Sequence, residues 1–136
     1  MNGGAVFLDA SVWIALRDPR EPRHAEAQRV VAQVLRGRSG FVVTPLIFAE
    51  THAYFTRSRL RRTQVLDDFE KNPVIRCEPT LASDHAEAIR LLRDYTDKAW
   101  SFCDAVSLVV MRRLGLRRAA SFDQHFRQFG ELEIIE

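Results

Sequence analysis

Trp100–Met111, WSFCDAVSLVVM, holds one charged residue in twelve positions, Asp104, set among Phe102, Ala105, Val106, Leu108, Val109 and Val110. A carboxylate in such company costs several kcal/mol to bury unless a cation or hydrogen-bond donors compensate it. No Lys or Arg lies inside the stretch to do so. The pattern recurs three times. Asp9 is the only charge in AVFLDASVWIAL (5–16), and Glu50 is the only one in FVVTPLIFAETHAYFT (41–56) with His52 neutral. Asp123 is the only charge in AASFDQHF (119–126) with His125 neutral. Four lone carboxylates in four apolar settings read as ligands converging on a metal ion.

The surroundings of these acids give a fold. Ala5–Leu8 is an apolar run that stops at Asp9 and reads as a buried parallel strand. Ser11 is the expected N-cap of a short helix, Val12–Arg17, ended by Asp18-Pro19. Helical spacing predicts a helix over His24–Arg36, closed by Gly37. Phe41–Thr44 reads as a strand, and Pro45 opens a helix, Leu46–Phe55, that carries Glu50. A helix over Arg61–Glu70, a strand at Val74–Arg76 and an amphipathic helix over Thr80–Tyr95 follow. Ser101 caps the central helix Phe102–Leu114, which Gly115 ends. Arg118–Ser121 is a strand leading to Asp123, and Leu132–Ile135 is an edge strand. Strands alternating with helices predict an α/β three-layer sandwich: a mainly parallel sheet of four to five strands with helices on both faces.

Length and composition are those of one globular domain, 1–136, with 46% hydrophobic and 28% charged residues. No apolar run approaches the roughly 18 residues of a membrane span. The opening MNGGAVFLDAS lacks the basic start of a signal peptide. Cys77 and Cys103 have no paired spacing, so reduced thiols and a cytoplasmic setting are expected. The net charge is only +2, but setting the four isolated acids aside leaves 14 acids against 20 Lys and Arg, a balance of +6 elsewhere. Arginines cluster at 57, 59, 61 and 62 and again at 112, 113, 117 and 118. The guanidinium fork suits phosphate, and a basic surface around an acidic pocket suits a nucleic-acid substrate. The same clusters also fit solvated helix faces.

Asp9 and Asp123 each follow a predicted strand, at the carboxyl edge where open parallel sheets bind ligands. Asp104 sits near the positive end of its helix dipole, and Glu50 reaches the same edge from its helix. An oxygen-rich cluster selects Mg²⁺ or Mn²⁺, and without Cys or paired His ligands zinc is not indicated. Such a site suits phosphodiester hydrolysis without a Ser or Cys nucleophile.

The segments AVFLDAS, FAET, DKAWSFCDAVSLVVMRRLGL and AASFDQHFRQFG together resemble the PIN-domain ribonucleases, and among them the VapC-type toxins of bacterial toxin–antitoxin modules. The resemblance covers nearly the whole chain. It implies that Asp9, Glu50, Asp104 and Asp123 are the catalytic, metal-binding acids, with Ser11, Ser101 and Ser121 at hydroxyl positions that support them. It further implies an Mg²⁺- or Mn²⁺-dependent endoribonuclease acting on structured RNA (tRNA or rRNA), a small cognate antitoxin, and a homodimer. Cys103 stands where the family more often has Thr or Val and is expected only to pack.

Each residue also has a plainer role to weigh. Asp9, Asp104 and Asp123 can cap helices, and Glu50 can be a solvated helix acid. Asp97 reads as an exposed loop acid, and His52 and His85 as structural. Phe7, Trp13, Trp100 and Phe102 read as core or dimer-contact residues. Arg112, Arg113 and His125 are candidate RNA contacts, with solvent exposure or packing as the competing role. Two rival functions compete with this one. An aspartate-based phosphatase or phosphoryl-transfer protein wants a second Asp two positions after the first, where this chain has Ser11. A catalytically silent RNA- or protein-binding scaffold would not need all four acids.

Overall fold

Val6–Leu8 forms β1, all three residues buried at the centre of the sheet. The structure, a computed structural model, describes residues 4–136, and Met1–Gly3, part of the expectation of no leader, lie outside the described residues. From β1 the chain runs through α1 (Ala10–Arg17), α2 (His24–Arg36), β2 (Phe41–Val43), α3 (Pro45–Tyr54), α4 (Arg59–Lys71), β3 (Ile75–Cys77) and α5 (Ala82–Asp94). It ends with α6 (Phe102–Leu114), β4 (Arg118–Ala120), α7 (Gln124–Arg127) and β5 (Glu133–Ile135).

The five strands form one sheet, all pairs parallel, in the order β3-β2-β1-β4-β5. Phe7 on β1 is in register with Val42 on one side and Ala119 on the other. The chain starts at the middle strand, steps outward through β2 to β3, then crosses back to β4 and β5. Right-handed crossovers therefore set α1–α4 on one face and α5–α7 on the other. Packing follows this division: α1 touches α2, α3 and α4, while α5 packs on α6.

Each face has an aromatic seam. Phe48 of α3 lies between Trp13 of α1, at 6.4 Å, and Phe69 of α4, at 4.0 Å. On the other face Phe126 of α7 stacks on Phe7 at 6.2 Å and meets Phe129 at 5.4 Å. Beneath the first seam, Asp68 of α4 accepts from the Trp13 indole at 2.9 Å and takes a two-point contact from Arg17. This pair staples α1 to α4.

The element bounds shift by one or two residues from those expected, chiefly at helix starts. Helix α1 begins at Ala10 because Asp9, not Ser11, is its N-cap; Asp9 accepts from the Ser11 N–H at 3.4 Å. Thr44 caps α3 ahead of Pro45, and Ser58 starts α4 at Arg59. At the end of α2 the left-handed residue is Arg38, φ 59°, while Gly37 keeps φ −75°. The central helix runs as expected from the Ser101 cap to Gly115, whose φ of 71° closes it.

Candidate metal centre

The direction of travel reverses between β1 and β4, so the crevice beyond their carboxyl ends is the switch point of the sheet. Asp9 and Ser121 are the first residues past those strands. The Asp9 N–H donates to Ala120 O at 3.0 Å, which continues the ladder one step and fixes where the carboxylate leaves.

Asp9 is 4% exposed. Its Oδ2 accepts from Ser11 Oγ at 2.6 Å and Ser121 Oγ at 2.9 Å, which leaves Oδ1 without a hydrogen-bond partner among the described residues. Both serines are themselves anchored: Ser11 Oγ accepts from the Phe122 N–H at 2.9 Å, and Ser121 Oγ from the Asp123 N–H at 3.0 Å. Two hydroxyls thus join Asp9 to the loop that carries Asp123.

Asp104 occupies the third position of α6, where its Oδ2 accepts from the Ser101 N–H at 2.9 Å and its own N–H donates to Ser101 Oγ at 3.0 Å. This capping box satisfies the helix end and holds the carboxylate, 8% exposed, toward Asp123. Asp123 in turn caps α7 by accepting from the His125 N–H at 2.9 Å. The His125 ring then meets both acids: Nδ1 lies 3.1 Å from Asp123 Oδ1 and 3.6 Å from Asp104 Oδ2. Asp104, Asp123 and His125 have donor atoms all within 4.8 Å of one another. Asp9 and Glu50 flank this triple rather than joining it.

Glu50 stands in the second turn of α3, with much of its side chain exposed. Its carboxyl is pushed above the ordinary range by partial burial first, then by the charges of Asp9, Asp104 and Asp123. Asp9 is also raised: burial leads, the Ser11 and Ser121 hydroxyls oppose it, and Asp123 and Asp104 push further up. Asp104 rises chiefly through burial, held back by the Ser101 N–H and raised again by Asp123. Burial leads in all three, and the charges of the neighbouring acids add to it, with His125 opposing the rise at Asp104. Among the described residues no Lys or Arg comes within ion-pair distance of the four acids; the one nitrogen base there is His125. Four hard oxygen donors, with Asp9, Glu50 and Asp104 held above the ordinary carboxyl range and no Lys or Arg beside them among the described residues, fit a divalent ion.

Cys103 was expected only to pack, and the structure gives it a place at the site. Burial, then the charges of Glu50, Asp9 and Asp104, push its thiol well above the usual range. Its position beside Asp104 on α6 was the available signal, but chain neighbourhood alone does not say which way a helical side chain turns.

The packing gives the two candidate RNA-contact arginines of α6 partners within this chain. Arg112 and Arg113 lie eight and nine residues past Asp104, about 12 Å along α6. Arg113 is bound to Asp84 at 2.9 Å, Glu78 at 3.0 Å and the Pro79 carbonyl, and Arg112 to Glu131 at 2.6 Å. Both guanidinium groups are committed to carboxylates of this chain. Among the other candidates, Asp97 is an exposed loop acid paired with Lys98. His85 bonds Thr80, and Trp13 and Phe7 are core.

A match to the PIN domain extends over residues 6–132, and the chain belongs to the PIN-domain family. It is 30% identical over 131 residues to the 23S rRNA-specific endonuclease VapC20 of Mycobacterium tuberculosis, covering 95% of this chain and 97% of that protein. The crystal structure of M. tuberculosis VapC20, a sarcin–ricin loop cleaving toxin, superposes with a TM-score of 0.85 at 25% identity, covering 97% of this chain and all of that one. A Klebsiella pneumoniae toxin–antitoxin complex, 10% identical, shares the fold at a TM-score of 0.67 over 97% of both chains. So does FitAcB from Neisseria gonorrhoeae, 14% identical, at 0.67 over 96% of both chains.

Proposed function

We propose that this chain is a divalent-metal-dependent endoribonuclease, the toxin of a toxin–antitoxin pair, that hydrolyses phosphodiester bonds in structured RNA. The observation that carries it is the set of four carboxylates at the switch point of a PIN-family sheet with no Lys or Arg among them. The similarity to a 23S rRNA-specific endonuclease supports the reaction class and makes an rRNA stem-loop the first substrate to assay. Mg²⁺ or Mn²⁺ as the ion, Asp9, Glu50, Asp104 and Asp123 as its ligands, a single nuclease domain over 1–136, a homodimer and a cytoplasmic setting belong to the same proposal. No helix among the described residues is long and apolar enough to cross a membrane.

Asp104, Asp123 and Asp9 would hold the cation, with Asp9 kept in orientation by Ser11 and Ser121. When bound, the cation supplies Lewis acidity toward the scissile phosphate and the attacking water. Glu50, whose carboxyl accepts from the Cys103 thiol, would orient that water and accept its proton. RNA phosphates are assigned to the α3–α4 junction in place of Arg112 and Arg113. There a cavity of about 570 Å³, two turns of chain beyond Glu50, is lined by Arg57 and Arg61, with Arg20 at its wall paired to Asp18.

The test is cleavage of a 23S rRNA stem-loop transcript with Mg²⁺ or Mn²⁺, together with 5′-end sequencing of cellular RNA after brief expression. Asp9→Asn and Asp104→Asn should each remove most cleavage while RNA still binds with a steep salt dependence. Full cleavage in excess chelator, or by Asp104→Asn, refutes the reading.

A further inference from the structure

We propose that His125 is a nitrogen ligand of the metal centre, which makes the site a mixed imidazole–carboxylate site that favours Mn²⁺ over Mg²⁺. The inference rests on the metal-dependent reading above and adds to it a ligand and a selectivity.

Three observations carry it. The first is spacing. Donors at neighbouring positions around an ion, on bonds of about 2.0–2.2 Å, lie roughly 3 Å apart. His125 Nδ1 is 3.1 Å from Asp123 Oδ1 and 3.6 Å from Asp104 Oδ2, and the three residues' donor atoms close within 4.8 Å. The second is that the backbone fixes the ring's place. Asp123 caps α7 through the His125 N–H, and the next residue, Phe126, is fully buried against Phe7 and Phe129. The third is the ring's company. His24 and His85 each give a ring nitrogen to a neighbouring oxygen, Ala15 O at 2.7 Å and Thr80 Oγ1 at 2.9 Å. The His125 ring has only the two carboxylates as polar partners among the described residues.

The selectivity follows from the donor set. Mg²⁺ prefers an all-oxygen octahedron and keeps its waters, whereas imidazole nitrogen suits the transition metals. Neutral imidazole with its proton on Nε2 presents the Nδ1 lone pair to the ion. The competing role for His125 is a hydrogen bond from Nδ1–H that orients the two acids without touching the ion.

The two roles separate by pulsed EPR on the wild-type protein loaded with Mn²⁺. Direct ligation gives a ¹⁴N coupling of bound imidazole, lost in His125→Gln. By Mn²⁺ titration with Mg²⁺ competition, His125→Gln should weaken Mn²⁺ binding by about tenfold or more, as ligand-sphere changes do, and leave Mg²⁺ within about threefold. Mn²⁺ bound to wild type without ¹⁴N coupling overturns the inference and leaves the metal centre standing. An equal loss of both ions in His125→Gln also overturns it. Absence of Mn²⁺ binding to wild type overturns the metal-centre reading as well. The wild-type spectrum decides even if the variant folds poorly.

Discussion

Asp104→Asn should stabilise the metal-free protein and abolish most of the stabilisation by metal, so the order of the two proteins inverts when the ion is added. Asp104 and Asp123 have carboxylate atoms within 4.8 Å. At that separation two ionised groups repel by ~3.5 kcal/mol at an effective dielectric near 20 and by ~0.9 kcal/mol in bulk water. Asp123 is partly exposed, so a value between them, ~2 kcal/mol, is the appropriate one. Two terms oppose the gain. The Ser101 N–H bond falls from charge-assisted to neutral, a loss of ~1 kcal/mol, and the favourable placement at the start of α6 loses ~0.3–1 kcal/mol. Removing the cost of burying the charge adds to the gain. The net is ~1 kcal/mol or more in favour of Asn, a rise in melting temperature of about 3–5 °C. Metal acts in the other direction: at a free concentration of 100 Kd the wild type gains ~2.7 kcal/mol, about 10 °C. Thermal melts at pH 7.5 in chelator and in Mn²⁺ read both effects. A metal-free variant that melts more than 3 °C below wild type, or equal metal-induced shifts in both proteins, refutes the reasoning.

Lowering the pH should stabilise the metal-free protein over the range where most proteins weaken. Asp9, Glu50 and Asp104 all have raised carboxyls, so the folded state holds more protons than the unfolded one and stability falls as pH rises through their folded values. Melts in chelator should therefore climb as pH drops from 7.5 toward the carboxylate range, and a flat or falling trend there would contradict the cluster. Ser121→Ala removes a hydroxyl that donates to a buried carboxylate and accepts a buried N–H, a loss of ~2–4 kcal/mol. It should also weaken Mn²⁺ binding, which calorimetry measures; unchanged stability and affinity would remove the supporting role. Arg113→Ala strips the guanidinium from Asp84, a carboxylate 2% exposed. Because the Leu81 N–H still serves that acid, the loss should be ~2–3 kcal/mol, near the low end for a broken buried pair. RNA affinity and its salt slope should hold, and a drop in affinity at unchanged stability would return Arg113 to the RNA surface.

The candidate acids were legible from local composition. A lone charge in an apolar run is a local contradiction, visible without coordinates, and it marked Asp9, Glu50, Asp104 and Asp123. Strand followed by acid placed Asp9 and Asp123 at the carboxyl edge, and Ser101 and Gly115 bounded α6, because caps and left-handed closures act within a few residues. Which side chains face one another depends on the packing of distant elements. Ser11 and Ser121, 110 positions apart, meet on one oxygen of Asp9 only because β1 and β4 are neighbours at the switch point. His125 reaches Asp104 from across the crevice, and Cys103 turns inward beside it. Arg113 has the same local sequence whether it meets solvent, phosphate or a buried Asp84 on another helix, so only packing could assign it. Propensity and capping are written in neighbouring residues, whereas the partner of a charged side chain is set by which distant elements the sheet brings together.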